Sequence, residues 1–220
     1  MGIKQCTHKD LWIFNFNPWL VIKLNSDSNS IVVGSNSKIV LNLRYNSRGS
    51  DTSKLYPGKY VIDGTPVGFT TDSKGFVIPI LTVTKNGLST TTFTSRRTGT
   101  SIIKSSINFQ TVTTSVKIFA KLYVTSTDPV NNAFRVPINK LIKITFNVPI
   151  KYGNKFIKLI NKWGSKPFRT YISGSSLYIK PLTVLAKGVQ YTVILHTGSI
   201  QALSGSSKIS LFRFKFTTTK

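Results

Sequence analysis

The side chains able to do chemistry in this chain are few, and they are scattered. Glutamate is absent, and the six carboxylates are Asp10, Asp27, Asp51, Asp63, Asp72 and Asp128. Glycoside hydrolysis needs two carboxyls facing each other across a cleft, yet beyond residue 72 only Asp128 remains. Asp63 and Asp128 stand beside Gly64 and Pro129, where an Asx-type hydrogen bond in a turn accounts for them. His8 and His196 are the only histidines and Cys6 the only cysteine. Zinc takes three or four ligands, and a nucleophilic triad needs a histidine oriented by an acid. Neither set can be assembled, so His196 is expected to be a partly exposed imidazole at a strand end. Calcium needs several oxygen ligands, usually carboxylates. No serine elbow framed by glycines and no phosphate-cradling loop occurs. A lone thiol forms no intrachain disulfide. No catalytic residue, metal ligand or cofactor site is therefore assigned, and no enzymatic activity is expected.

What the chain has in excess is positive charge. Lys and Arg number 30 against 6 Asp, giving a formal charge of +24. Residues 1–24 carry a net +2, residues 25–120 a net +7 and residues 121–220 a net +15. Such an excess attracts any polyanion, although cations on solvated strand faces would account for much of it. The densest run is Lys151, Lys155, Lys158, Lys162, Lys166 and Arg169. Spaced by threes and fours, these would align on one face of a basic amphipathic helix for a membrane or nucleic acid. Phe156, Ile157, Leu159, Ile160 and Trp163 would form its apolar side. Gly153 and Gly164 confine that helix to about ten residues, which is marginal. The resemblance of residues 125–219 to a known domain family implies instead a strand at 156–160 and a turn at 161–166. In a hairpin, the same cations with Trp163 and Tyr171 would make a polyanion-binding patch.

The elements that must position these residues read as strands. Ser, Thr, Val, Ile, Phe and Tyr dominate, as on pleated, half-buried surfaces, and alanine is scarce. In Leu211-Phe-Arg-Phe-Lys-Phe-Thr217 the residues Phe212, Phe214 and Phe216 alternate with Leu211, Arg213 and Lys215. Period two predicts aromatics inward and cations outward. Ile142, Ile144 and Phe146 repeat the device against Lys143 and Thr145, and Ile39, Leu41, Leu43 and Tyr45 alternate with Lys38, Val40, Asn42 and Arg44. Asn86-Gly87, between alternating runs at 76–84 and 88–94, predicts a hairpin. Further strands are expected at 31–33, 61–69, 101–109 and 111–119, with a loop at 47–58. Turn signals recur about every ten residues, the rhythm of β-sandwiches. Length suits one large or two smaller all-β domains.

Three segments resemble known families. Residues 125–219 resemble the S-layer-type (SbsA-type) Ig-like domain. The resemblance rests on Ser126-Thr-Asp-Pro129, Val136-Pro137, Ile142-Lys-Ile-Thr-Phe146 with Pro149-Ile150, Ile172-Ser-Gly174, Leu177-Tyr-Ile-Lys-Pro181, Gly188, Tyr191-Thr-Val193 and Phe214-Lys-Phe-Thr-Thr218. Where that family often has an acidic residue, this chain has Val148. Residues 26–118 resemble the invasin/intimin-like (group 1) bacterial Ig-like domain through Val32-Val33-Gly34, Asp63-Gly-Thr-Pro-Val-Gly-Phe69, Asn86-Gly87, Thr98-Gly-Thr100 and Thr111-Val-Thr-Thr-Ser-Val116. Asn17-Pro18-Trp19-Leu20-Val21 resembles the exit from a parallel β-helix in adhesin-like proteins of methanogenic archaea. Together they imply two tandem Ig-like β-sandwiches, at 25–120 and 121–220, after a lead-in at 1–24.

The implied function is that of a non-enzymatic stalk, spacer or adhesive module of a prokaryotic, archaeal cell-surface protein. Its partners would be cell-envelope or host-surface components, acidic polysaccharide among them, and the rest of a longer surface protein. The alternative is a basic module binding acidic glycan, cell-wall polymer or nucleic acid. No apolar run is long enough to span a membrane. The stretch 11–22 is broken by Asn15, Asn17 and Pro18 and has no small-residue cleavage site after it, unlike a signal peptide. An export signal is expected on a part of the protein outside this sequence.

Overall fold

The computed structural model describes residues 20–46, 61, 63–107 and 110–220. The lead-in up to Trp19 and the loop expected at 47–58 lie outside these, as do Cys6, His8, Asp10 and Asp51. Every element among the described residues is a strand, and the chain divides into two compact units at Ile118 and Phe119.

The first unit contains β1 (Leu20–Ser26), β2 (Ser30–Val32), β3 (Asn36–Asn46), β4 (Pro66–Thr71), β5 (Gly75–Ile78), β6 (Leu81–Val83), β7 (Leu88–Ser95), β8 (Gly99–Ile107) and β9 (Gln110–Phe119). One sheet runs β1-β3-β7-β5 and the other β2-β9-β8-β4-β6. β1 continues through position 25 into the antiparallel pair with β3, and Leu24 is buried. Ile39, Leu41 and Leu43 of β3 face inward, as their period demands, and are fully buried with Phe93. Val67, Phe69, Ile103, Val116 and Ile118 close the core from the other sheet.

The Asn86-Gly87 turn forms, with φ of 51° and 69° and paired Lys85 and Leu88 backbones. It does not join a two-stranded hairpin, however. The run expected as one strand at 76–84 breaks into β5 and β6 around Pro79, which has no N–H to give a ladder. β5 stays beside β7 while β6 crosses to β4 in the opposite sheet. The Thr-rich strand β7 also turns hydroxyls inward: Ser89, Thr91 and Ser95 are buried. Thr91 donates to the Pro79 carbonyl (2.7 Å), and the Ser95 hydroxyl lies 3.1 Å from the carbonyls of Val32 and Ser35. These bonds offset the cost of burying the hydroxyls.

The second unit contains β10 (Val124–Asp128), β11 (Ala133–Val136), β12 (Ile142–Phe146), β13 (Ile150–Tyr152), β14 (Ile157–Asn161), β15 (Gly164–Ser165), β16 (Phe168–Ser173), β17 (Ser176–Pro181), β18 (Gln190–Leu195), β19 (Ile200–Ala202) and β20 (Phe212–Thr218). One sheet runs β10-β12-β17-β16 and the other β11-β20-β18-β14-β15, with β13-β19 as a separate pair. The core is built from Ile142, Ile144, Phe146, Leu177 and Ile179 of the first sheet. Leu159, Tyr191, Val193, Leu195, Phe214 and Phe216 of the second complete it. Burying one such Phe or Leu contributes about 2–3 kcal/mol.

Candidate binding surface

The four described carboxylates are all held in structural contacts. Asp27 accepts from the Ser37 hydroxyl (2.7 Å) and Lys38 N–H (2.9 Å), and Asp63 accepts from the Asn86 N–H (2.6 Å). Asp72 accepts from the Ser101 hydroxyl (2.8 Å) and is paired with Lys74 (3.0 Å). Asp128 pairs with Lys140 at 2.7 Å. The contacts recorded for Asp63 and Asp128 thus reach residues 23 and 12 positions away, where the sequence suggests local Asx turns. Pairing of β4 with β6 and of β10 with β12 brings those distant partners close. Among the described residues no three of His, Cys, Asp or Glu cluster together. His196, at the end of β18, is half-buried and stacks on Phe156 with centroids 4.0 Å apart.

The basic run is a strand and a turn, not a helix: β14 takes 157–161 and pairs with β18, and the chain reverses at Lys162-Trp163 into β15. Its six cations spread over separate elements. Lys151 lies on β13, Lys155, Lys158 and Lys162 before, on and after β14, and Lys166 between β15 and β16. Arg169 is on β16, in the other sheet. Three of them lie over aromatic rings: Lys155 over Tyr152 (4.7 Å), Lys158 over Phe156 (5.0 Å) and Lys162 over Trp163 (4.5 Å). Trp163 is 66 % exposed.

The two sheets of the second unit have differently built outer faces. On the β14-β18-β20 sheet, register places Lys158, Ile194 and Arg213 in one row and Ile160, Thr192 and Lys215 in the next. On the β10-β12-β17-β16 sheet, Arg169 is opposite Lys180 in one row. The second row is Tyr171, Tyr178, Lys143 and Asp128, and the third is Ser173, Ser176 and Thr145. Tyr171 and Tyr178 stack with centroids 4.6 Å apart and planes 5° apart, and the Lys143 ammonium lies 5.8 Å from the Tyr178 centroid. Sequence reasoning found Arg169 and Tyr171 but not Tyr178, Lys143 or Lys180 as their neighbours. The signal was present: Gly174-Ser175 is a two-residue loop, and counting outward from it pairs 171 with 178 and 169 with 180.

Two packed sheets, antiparallel except for the β11-β20 pair, with the inward-outward alternation of both units form the immunoglobulin-like architecture. Residues 120–218 match the bacterial Ig-like domain family. Relatives of known structure extend the Ig-like fold beyond that segment. A C-terminal 282-residue fragment of intimin, solved with the intimin-binding domain of the translocated intimin receptor, is 14% identical with a TM-score of 0.56. It covers 90% of this chain and 64% of that one. The Escherichia coli adhesin FdeC is 13% identical with a TM-score of 0.50, covering 90% of this chain and 65% of that one. The N-terminal part of the bacterial S-layer protein SbsC is 18% identical over 46% of this chain and 24% of that one, with a TM-score of 0.35. The chain thus spans less than two thirds of the intimin and FdeC structures. No curated protein sequence matches it. Val148 is partly buried and packs against the core of the second unit. Among the described residues, no helix is long and apolar enough to cross a membrane.

Proposed function

We propose that this chain is a non-enzymatic structural and adhesive module of a cell-surface protein, its two Ig-like units serving as spacer or stalk. The observation that carries the reading is the parallel pairing of β11, near the start of the second unit, with β20 at its end. Ala133 is in register with Phe216 and Val136 with Thr218. Asn132 donates to the Lys215 carbonyl (2.7 Å), and the Thr219 N–H donates to the Val136 carbonyl (2.9 Å). In a parallel pair, tension applied through the two ends of the unit slides the strands past each other. All bridging hydrogen bonds are loaded together, whereas an antiparallel hairpin pulled from its open ends gives way one bond at a time. Such an arrangement suits a module that transmits force. Likeness to the intimin and FdeC adhesin structures supports the same reading. Stretching the single molecule by its ends tests it: two discrete ruptures are expected, each releasing roughly 300 Å for about 100 residues. Smooth extension without ruptures would oppose the proposal.

A second reading is favoured by the three cations lying over aromatic rings. In it the basic run from Lys151 to Arg169 binds an acidic polymer. Replacing Lys155, Lys158 and Lys162 together by Ser would then abolish binding to heparin, and the binding would fall steeply with salt.

A further inference from the structure

We propose that the outer face of β12, β17 and β16 is a binding site for an acidic polysaccharide, with a sugar ring on Tyr171 and its carboxylate on Arg169 and Lys180. The site deepens the adhesive reading by naming a ligand class, and rests on it only for where such a glycan would be met.

The face is banded in a way that matches one chemistry. One row offers cations (Arg169 and Lys180), the next two stacked phenols followed by Lys143 and Asp128, and the third hydroxyls, of which Ser173 is exposed. A uronic acid presents the same three functions in the same compass: a carboxylate, an apolar C–H face and hydroxyls. β16 ends its sheet, so among the described residues no strand stands beside the side of Tyr171 turned away from Tyr178. Tyr171 is 48 % exposed. The stack holds that ring upright, so little conformational freedom is lost on binding. The guanidinium of Arg169 can grip a carboxylate through two parallel N–H bonds.

Charge points the same way. Asp128 is the only acidic residue of the second unit, and it is already bridged to Lys140. No ion pair holds Arg169, Lys180 or Lys143 among the described residues. At the β16-β17 edge, away from Asp128 on β10, the face is therefore uncompensated positive charge beside an aromatic platform. Nucleic acid is less well matched, because stacking several bases needs several separate ring faces, and here the second ring is covered by the first.

The test is calorimetric titration of the full chain with polygalacturonate, its fully methyl-esterified neutral form, and a single-stranded DNA of mixed sequence. Polygalacturonate should bind at low salt and the ester at least about tenfold more weakly, since a charged hydrogen bond is worth about one decade of affinity. Tyr171→Ala should lose about tenfold. Arg169→Ser with Lys180→Ser, exposed positions whose loss leaves the core intact, should lose at least as much. The Lys155→Ser, Lys158→Ser, Lys162→Ser triple variant should bind unchanged. The proposal is overturned if DNA binds more tightly than polygalacturonate, or if the triple variant loses binding while the Arg169 and Lys180 variant keeps it. Absence of binding to polygalacturonate overturns it as well. None of these outcomes bears on surface location, which is read separately on cells.

Discussion

The phenol oxygen of Tyr191 accepts a hydrogen bond from the Ala186 N–H at 2.9 Å, while its fully buried ring stacks 5.9 Å from Phe216. A tyrosine early in a strand that ties its hydroxyl to the backbone just upstream is a recurrent corner device of Ig-like sandwiches. It pins the 182–189 connection onto the strand it feeds, so that β18 enters the sheet in register with β20.

Tyr191→Phe should keep the ring packing and leave the Ala186 N–H without its partner. A loss of about 1–2 kcal/mol is expected. Urea unfolding of the second unit should show a lower midpoint with an unchanged slope.

Asp72 has a carboxyl that burial alone would raise. The Lys74 N–H and ammonium, the Ser101 hydroxyl and the Ile102 N–H outweigh burial and lower it from 3.8 to about 2. The folded state therefore favours the charged form. Its contribution is complete above the ordinary carboxylate range of about 4. It is lost as pH falls from there through about 2. The carbon-13 shift of the Asp72 carboxyl should titrate near the lower value. Asp72→Asn should destabilise the first unit at pH 6 by on the order of 1 kcal/mol and by less at pH 2.

Gly153 is irreplaceable for a packing reason. A methyl group there would fall on the Gly198 carbonyl oxygen, and the same backbones are joined by Gly153 N–H to Ser199 (2.9 Å) and Asn154 N–H to Gly198 (3.1 Å). Gly153→Ala should force these strands apart at a cost of about 1–3 kcal/mol, read as a lower melting temperature of the second unit.

Phe216→Ala removes a fully buried ring that packs against Tyr191 on the strand paired with β11. About 3–5 kcal/mol should be lost. A rupture force below that of the unaltered chain is also expected in stretching, because β20 is then less firmly seated.

Much of this was legible in the sequence wherever alternation was strict. Ile142, Ile144 and Phe146, or Phe214 and Phe216, needed only period two to be placed inward. The strand at 157–161, expected at 156–160, was legible through the family resemblance, with Gly153 and Gly164 leaving only marginal room for a helix. Less legible was the fate of 76–84, where Pro79 sends consecutive residues to opposite sheets; a sequence window shows the break but not its destination. The inward hydroxyls of Thr91 and Ser95 were hidden because their partners are backbone carbonyls remote in sequence, and that of Ser89 because it meets the Thr82 hydroxyl across the fold. Arg169 illustrates the same limit. Its linear neighbours are Lys162 and Lys166, while its sheet neighbour is Lys180, and only strand pairing shows which counts.

The surface assignment is tested most directly on cells of the source organism, labelled with an antibody raised against this chain before and after lysis. Equal labelling of intact and lysed cells, removed by external protease, is the predicted result. Labelling that appears only after lysis would contradict the account.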